Sequence, residues 1–245
     1  MCATTFKLHI FNNSHNLLTR HCQLLCLTLP KVMRYIYIIM CMMLSCISSS
    51  AQKAGDIVSI KQTEVDKYFY ATPIPDEVFR RMRDKSFPKH CTTKRSDLRY
   101  IRVLHINKEG KTQVGEMVCH KSISADLIDI FRKLYEARYP IERMVLIDNY
   151  DADDEKSMAA NNTTCFNFRF VTGSRTKVSK HGLGMAVDIN PFDNPYIKGK
   201  VVKPKGAKQE PEITKSSLPY RLFTEHGFRW GGNWKSLKDY QHFEK

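Results

Sequence analysis

The sequence predicts an α+β fold, a single domain in which a mainly antiparallel sheet is flanked by helices. Two observations predict it. Apolar and polar residues alternate on both sides of a turn at 108–111, and segments with apolar residues at helical spacing precede and follow this hairpin. The order helix, hairpin, helix, strand is typical of antiparallel sheets with helices packed on one side. Residues 52–245 contain no repeat, low-complexity stretch or long linker, so we expect one domain.

The elements are predicted in chain order. A first helix is predicted within 72–87, where Val78 and Met82 have helical spacing after two prolines. The hairpin follows over 97–120, with its turn at 108–111.

A second helix is predicted to begin with Ser124 as its N-cap and to end before Pro140. Short strands are predicted at 142–150 and around 166–170, and a last helix at 217–225.

The N-terminal region has the pattern of a targeting signal. Residues 33–51 carry one basic residue, an apolar run from 35 to 47 and small residues ending at Ala51. This is the three-part pattern of a secretory signal peptide, and the run is too short to span a bilayer comfortably. We expect cleavage after Ala51 and interpret 1–32 as an extension of the gene model. The protein is then exported to the periplasm or the extracellular space.

Cys46 offers an alternative. It follows Met43-Leu44-Ser45, and lipid attachment to Cys46 would tether the exported protein to a membrane instead of releasing it. The sequence leaves both outcomes open.

Charge and cysteine content limit the function. The net charge is +14, and removal of 1–51, which has four basic and no acidic residues, still leaves +10. Such an excess suits an anionic polymer, but no nucleic-acid motif is present, so we predict no nucleic-acid partner. Downstream of Ala51 only Cys91, Cys119 and Cys165 occur, without a CxxC pair. At most one disulfide is expected, and any metal must be held by histidines and carboxylates.

Two glycines bring a histidine and an aspartate together in the stretch VSKHGLGMAVDINP, residues 178–191. Gly182 and Gly184 allow the chain to double back after His181. The strand that follows presents Asp188 on the face opposite to its apolar residues. A separate acidic stretch at 151–155 lacks the glycine and glutamate of a calcium loop, which favours a solvated loop there.

A third ligand must lie further downstream. His226 follows a predicted helix, a common position for a histidine that only favours the helix dipole. His242 has Asp239 three residues before it, which would place a proton-transfer group beside the metal. Three such ligands and one open position are typical of catalytic zinc, so His242 is favoured.

These motifs resemble a known family. SKHGLGMAVD followed by DYQHFE is similar to zinc peptidases that cleave bacterial cell-wall peptides. These are the VanY-type D-alanyl-D-alanine carboxypeptidases, the VanX dipeptidases and the phage L-alanyl-D-glutamate endolysins. The likeness is to an exported bacterial branch, covers most of 70–245, and implies a hedgehog-like fold with its zinc site in a cleft on the sheet.

The resemblance also implies roles for individual residues. The zinc ligands would be His181, Asp188 and His242. Asp239 would be the general base and acid, and Arg169 would polarise the scissile carbonyl. The substrate would be a peptidoglycan stem peptide. Asp239 stands where the VanX and VanY branches have glutamate, and an aspartate at this position is more like the endolysins. Gln241 stands where the carboxypeptidases usually have tryptophan.

Further residues are predicted around the substrate. Trp230 and Gly231 are expected to line its groove, and Ser179 to shape the turn or contact the substrate. The lysine-rich segment 198–215 is expected to form an exposed loop over one side of the site. Two hypotheses follow: a secreted zinc peptidase, or a non-catalytic peptidoglycan-binding module with a structural zinc. Neither the bond cleaved nor the oligomeric state is predicted.

Overall fold

The computed structural model describes residues 52–171 and 173–245. The predicted signal peptide, the gene-model extension and Cys46 lie outside these residues. The described chain is α+β, as predicted, and its extended segments form three small antiparallel sheets instead of one. The described residues contain no helix that is both long and apolar enough to cross a bilayer.

The helices and strands alternate irregularly along the chain. The α-helices are α1 (Asp76–Met82), α2 (Ser124–Glu136), α3 (Asp154–Ala159) and α4 (Leu218–Glu225). The strands are β1 (Tyr70–Thr72), β2 (Leu98–Ile106), β3 (Thr112–His120), β4 (Ala186–Asp188), β5 (Tyr196–Lys198), β6 (Val201–Lys203), β7 (Arg229–Trp230), β8 (Lys238–Asp239) and β9 (His242–Glu244).

The first sheet, in the order β1-β2-β3, is the main scaffold. Its long hairpin pairs Leu98 with His120 at one end and Ile106 with Thr112 at the other, as the alternating pattern predicted. Helix α2 packs against β2 and buries the predicted apolar face, in which Leu127 and Leu134 have no solvent exposure. Complete burial of one leucine side chain contributes about 1.5–3 kcal/mol to stability.

The other two sheets are built from strands of two or three residues. One has the order β4-β9-β7 and the other β6-β5-β8. The first of these shares the hydrophobic core with α4, through rings of Phe223 and Phe243 stacked with centroids 4.4 Å apart. Strands β8 and β9, which are separated only by Tyr240 and Gln241, belong to different sheets.

Two predicted strands were wrong. Residues 142–150 end in a 3-10 helix, Ile147–Tyr150, and Val145 exchanges both of its backbone hydrogen bonds with the side-chain amide of Asn162. In 166–170, Phe166 and Phe168 donate to carbonyls of two different segments, those of Val118 and Ser86. In both places the buried backbone is satisfied one group at a time, so no ladder forms.

Smaller differences concern caps and loops. Ser124 is the first residue of α2, not its N-cap; Ile123 occupies the cap position, and the Ser124 hydroxyl donates to the Lys121 carbonyl. The acidic stretch predicted as a loop includes the start of α3, where Asp153 caps the helix by accepting from the Lys156 backbone N–H. Part of the predicted lysine-rich loop is the hairpin β5–β6.

Candidate metal centre

Strand register places a carboxylate beside an imidazole. Strands β4 and β9 are antiparallel, and Asp188 lies directly opposite His242. The side chains of such a pair share one face of the sheet. Their neighbours Val187 and Phe243 are also paired and fully buried on the other face. Burial of the apolar face therefore fixes the direction of both polar side chains.

A tight turn brings His181 to the same place. The Ser179 hydroxyl accepts from the Gly182 N–H, and the Gly184 N–H donates to the His181 carbonyl. Gly184 has φ +70°, and a Cβ there would lie 2.7 Å from the backbone nitrogen of His120 on β3. Only glycine fits this position, which presses the turn against the first sheet.

The three side chains converge with the dimensions of a zinc site. His181 Nε2 lies 3.2 Å from Asp188 Oδ2 and 3.2 Å from His242 Nδ1, and His242 Nδ1 lies 3.0 Å from Asp188 Oδ1. Four tetrahedral ligands at zinc distances are about 3.3 Å apart. All three candidate ligand atoms lie within 4.8 Å of one another, so donor type and spacing both fit zinc. We refer to these three residues as the ligand cluster.

The hydrogen bond of His181 to the backbone directs its Nε2 atom into the cluster. Its Nδ1 lies 2.7 Å from the carbonyl oxygen of Cys165, which can only accept. The hydrogen must therefore be on Nδ1, so that Nε2 is left to bind a metal.

Asp188 and His242 each stabilise the charged form of the other. Burial opposes ionisation of Asp188, but His181 and His242 outweigh it and hold the pKa of Asp188 well below its ordinary value. Burial alone would lower the pKa of His242, yet hydrogen bonds to Asp188 and Glu244 raise that pKa to about 10. The site thus favours positive charge at His242 Nδ1, where a metal cation would replace the proton.

Asp239 enters the same cleft from β8. Its backbone is paired with Tyr196 of β5. Its Oδ1 atom is buried and has no hydrogen-bond partner among the described residues. Burial raises the pKa of Asp239 to about 6, with a further rise from Asp188 and an opposing effect from His242. An unpartnered buried carboxylate oxygen is rare outside functional sites.

Glycine is required behind Asp239. A Cβ at Gly231 would lie 2.6 Å from the Asp239 carbonyl oxygen, 2.9 Å from its Cβ and 3.2 Å from the Cβ of His242. The absence of a side chain at Gly231 thus lets the backbone at this position pack directly against Asp239 and His242.

The cleft has a volume of about 550 Å³ and contains the ligand cluster, Asp239 and Arg169. Arg169 Nε forms an ion pair with Asp154 Oδ2 at 3.1 Å. Other charged side chains that line the cleft are more exposed than the cluster. We refer to four of them as the charged rim: Asp154, Glu155, Lys198 and Lys203. Within the rim, Lys203 is ion-paired with Glu155 and so links β6 to α3.

Other predicted site residues lie outside the cleft lining. Trp230 is buried in the core, where its Nε1 donates to the Tyr240 carbonyl at 2.9 Å. Ser179 makes the turn contact described above. His226, the weaker candidate ligand, contacts Asp126 and Asp129 of α2 through its two ring nitrogens. Those contacts place it in a surface ion-pair group apart from the cluster.

Lys198 and Lys203 of the charged rim belong to the lysine-rich segment that was predicted to lie over the site, whereas the contribution of α3 to the rim was not predicted. Glu244 was also missed, although its spacing of two residues from His242 would have placed both on one face of a strand. Cys91, Cys119 and Cys165 are all free thiols, and burial raises the pKa of Cys119 and Cys165. No thiol belongs to the cluster.

The C-terminal part of the chain is similar to a known family. Residues 172–245 match the model of a family described as D-alanyl-D-alanine carboxypeptidase. The match includes all three residues of the ligand cluster and Asp239, whereas Arg169 lies just before it. No solved structure matches the chain significantly.

Proposed function

We propose that the protein is an exported zinc-dependent peptidase that hydrolyses peptide bonds in the stem peptides of bacterial peptidoglycan. One observation carries the proposal: the ligand cluster lies in one cleft with the buried carboxyl group of Asp239, whose Oδ1 atom has no hydrogen-bond partner among the described residues. The C-terminal family match supports the same class of reaction. We also propose that the fold is related to that of hedgehog proteins and D-Ala-D-Ala peptidases.

His181, Asp188 and His242 would hold the metal through Nε2, a carboxylate oxygen and Nδ1 respectively. When bound there, zinc supplies a Lewis acid that polarises a carbonyl group and makes water acidic enough to give a nucleophile near neutral pH.

Asp239 is proposed as the proton-transfer group. It accepts a proton from the attacking water and returns it to the leaving amine nitrogen, so its carboxylate ends the cycle as it began. A group that does both works best when its pKa is close to the working pH. Burial of Asp239, which raises its pKa to about 6, supports this role.

Arg169 is proposed as the donor to the carbonyl oxygen of the scissile bond. It lines the same cleft, and its ion pair with Asp154 restricts the guanidinium before substrate binds. A positive group fixed in advance stabilises the negative charge that develops on that oxygen.

The proposed substrates differ in the bond cleaved. The shorter acid at position 239 favours the L-alanyl-D-glutamate bond, which an endopeptidase would cleave. The description of the matched family favours a D-alanyl-D-alanine carboxypeptidase. Both substrates carry carboxylates, which suits a chain that keeps a net charge of +10 after removal of residues 1–51.

Digestion of purified peptidoglycan tests the proposal. Zinc-loaded protein is incubated with muropeptides, and product masses are measured. Loss of one terminal alanine identifies a carboxypeptidase, and cleavage between L-alanine and D-glutamate identifies an endopeptidase. Asp239→Asn, which keeps the shape of the side chain, is the matched control and should bind zinc without forming product.

Wild-type protein that binds zinc and muropeptides but releases no product would contradict the peptidase proposal. It would instead support a non-catalytic peptidoglycan-binding module with a structural zinc.

A further inference from the structure

Glu244 contacts the side of His242 that faces away from the ligand cluster. The two residues are separated by one position on β9 and therefore project from the same face of the strand. Glu244 Oε2 lies 3.4 Å from His242 Nε2, while His242 Nδ1 faces Asp188 and His181. The two nitrogens of this imidazole thus have separate tasks.

A second contact holds Glu244 in place. Strand β7 pairs with β9 so that Arg229 lies opposite Glu244, and Arg229 Nη2 donates to Glu244 Oε1 at 2.7 Å. One carboxylate oxygen is therefore engaged by Arg229 and the other by His242. Only 14% of the Glu244 side chain is exposed, which limits competition from water.

The arrangement parallels that of His181. In each histidine one ring nitrogen faces the cluster, and the other faces an oxygen that can accept a hydrogen bond. For His181 that oxygen is the carbonyl of Cys165, and for His242 it is the carboxylate of Glu244. A carboxylate in this position both orients an imidazole and makes its other nitrogen a stronger ligand.

We propose that Glu244 is a positioning residue for metal binding, one that keeps the hydrogen of His242 on Nε2 and directs the Nδ1 lone pair into the cluster. This inference rests on the metal site of the proposed function, but it does not depend on the bond cleaved or on catalysis itself.

Zinc affinity measured on the full chain tests the inference. Competition with a chromophoric chelator gives the zinc Kd of wild type, Glu244→Ala, Glu244→Gln and the control Glu210→Ala, in which an exposed acid is removed. We expect Glu244→Ala to weaken zinc binding about 10–100-fold. Glu244→Gln keeps an oxygen acceptor and should lose less, and the control should match wild type.

A spectroscopic readout separates positioning from a general loss of structure. In ¹H–¹⁵N spectra of the zinc-bound protein, the His242 Nε2–H should exchange slowly in wild type and Glu244→Gln and rapidly in Glu244→Ala. Thermal unfolding of the zinc-free variants checks that all of them fold.

Equal zinc affinities in folded wild type and Glu244→Ala would overturn the inference, and so would wild type that binds no zinc. Glu244→Gln decides the question if Glu244→Ala does not fold: a zinc affinity and Nε2–H exchange rate like those of wild type support the role of the acceptor oxygen, and loss of the slow exchange refutes it. Tight zinc binding without peptide hydrolysis would contradict only the proposed function and leave this inference standing.

Discussion

The ligand cluster and the charged rim line one cleft, but different forces hold them. In the cluster, at most 12% of any side chain is exposed, and each group is fixed by strand register, a glycine turn or a buried hydrogen bond. In the rim, Lys203 and Glu155 are about half exposed and held by one ion pair. A buried, multiply fixed region tolerates little change, whereas an exposed ion pair contributes at most about 1 kcal/mol. Under the proposed function, we therefore expect changes in the cluster to abolish metal binding, and changes in the rim to alter only substrate binding.

The largest effect is expected from loss of a candidate ligand. His242→Ala should weaken zinc binding by more than about 100-fold, beyond the range known for residues that only support ligands. Peptide hydrolysis should be lost with it. Zinc stoichiometry after dialysis, measured by atomic absorption, checks the expectation, with His226→Ala as the matched control. If His226→Ala lost zinc and His242→Ala retained it, the cluster would be misassigned.

Asp239→Asn should separate binding from chemistry. The amide cannot accept the proton, so kcat/KM should fall about 10²–10⁴-fold, while the zinc Kd stays close to that of wild type. Steady-state kinetics on a stem peptide, together with the chelator competition, provide both numbers. If kcat/KM of the variant were normal, Asp239 would have no role in the reaction, and the buried side of the cleft would differ less from the charged rim than we expect.

Gly231→Ala should show how tightly the cluster side is packed. The added methyl would lie 2.6 Å from the Asp239 carbonyl oxygen, so the acid must shift. A displacement of about 1 Å can reduce the rate about 100-fold even when every reacting group is present. Kinetics and thermal unfolding should both be measured. Gly173→Ala, where a Cβ meets nothing within 4 Å, serves as the comparison for added bulk, although its positive φ carries some strain of its own.

The smallest effect is expected in the charged rim. Lys203→Ala and Glu155→Ala should each change the free energy of unfolding by about 0.2–1 kcal/mol, and a double-mutant cycle should give a coupling of the same size. We expect KM to change a few-fold with kcat unaffected. A loss of kcat as large as that of Asp239→Asn would place the rim in the chemistry and break the comparison.

Sequence patterns predicted the parts of the fold that depend on local periodicity. The β2–β3 hairpin, α2 and α4 all occur where their patterns indicated, and α2 buries the apolar face that its spacing predicted. The segment around Val145 was assigned to a strand as a short buried run, and the segment around Phe166 because its residues alternate between apolar and polar. Their backbones are instead satisfied by an asparagine side chain and by carbonyls of separate segments. A periodic pattern carries no information about such partners.

The candidate site divides in the same way. His181, Asp188 and His242 could be selected from two short motifs, and the structure brings the three together. The lysines of the rim lie in the segment that was predicted to cover the site, but the pairing of Lys203 with Glu155 could not be predicted, because the two are 48 residues apart and Glu155 belongs to no motif. Glu244 could have been found only if β9 had first been recognised as a strand.

The pairing of β4 with β9 has a consequence for how the chain folds. It joins residues 54 positions apart in sequence, whereas the β2–β3 hairpin and the helix that follows it form from contacts between near neighbours. Closing the longer loop costs more chain entropy and yields little until the strands meet. We therefore expect the β2–β3 hairpin and α2 to form early during folding, and the cleft to acquire its final geometry among the last events.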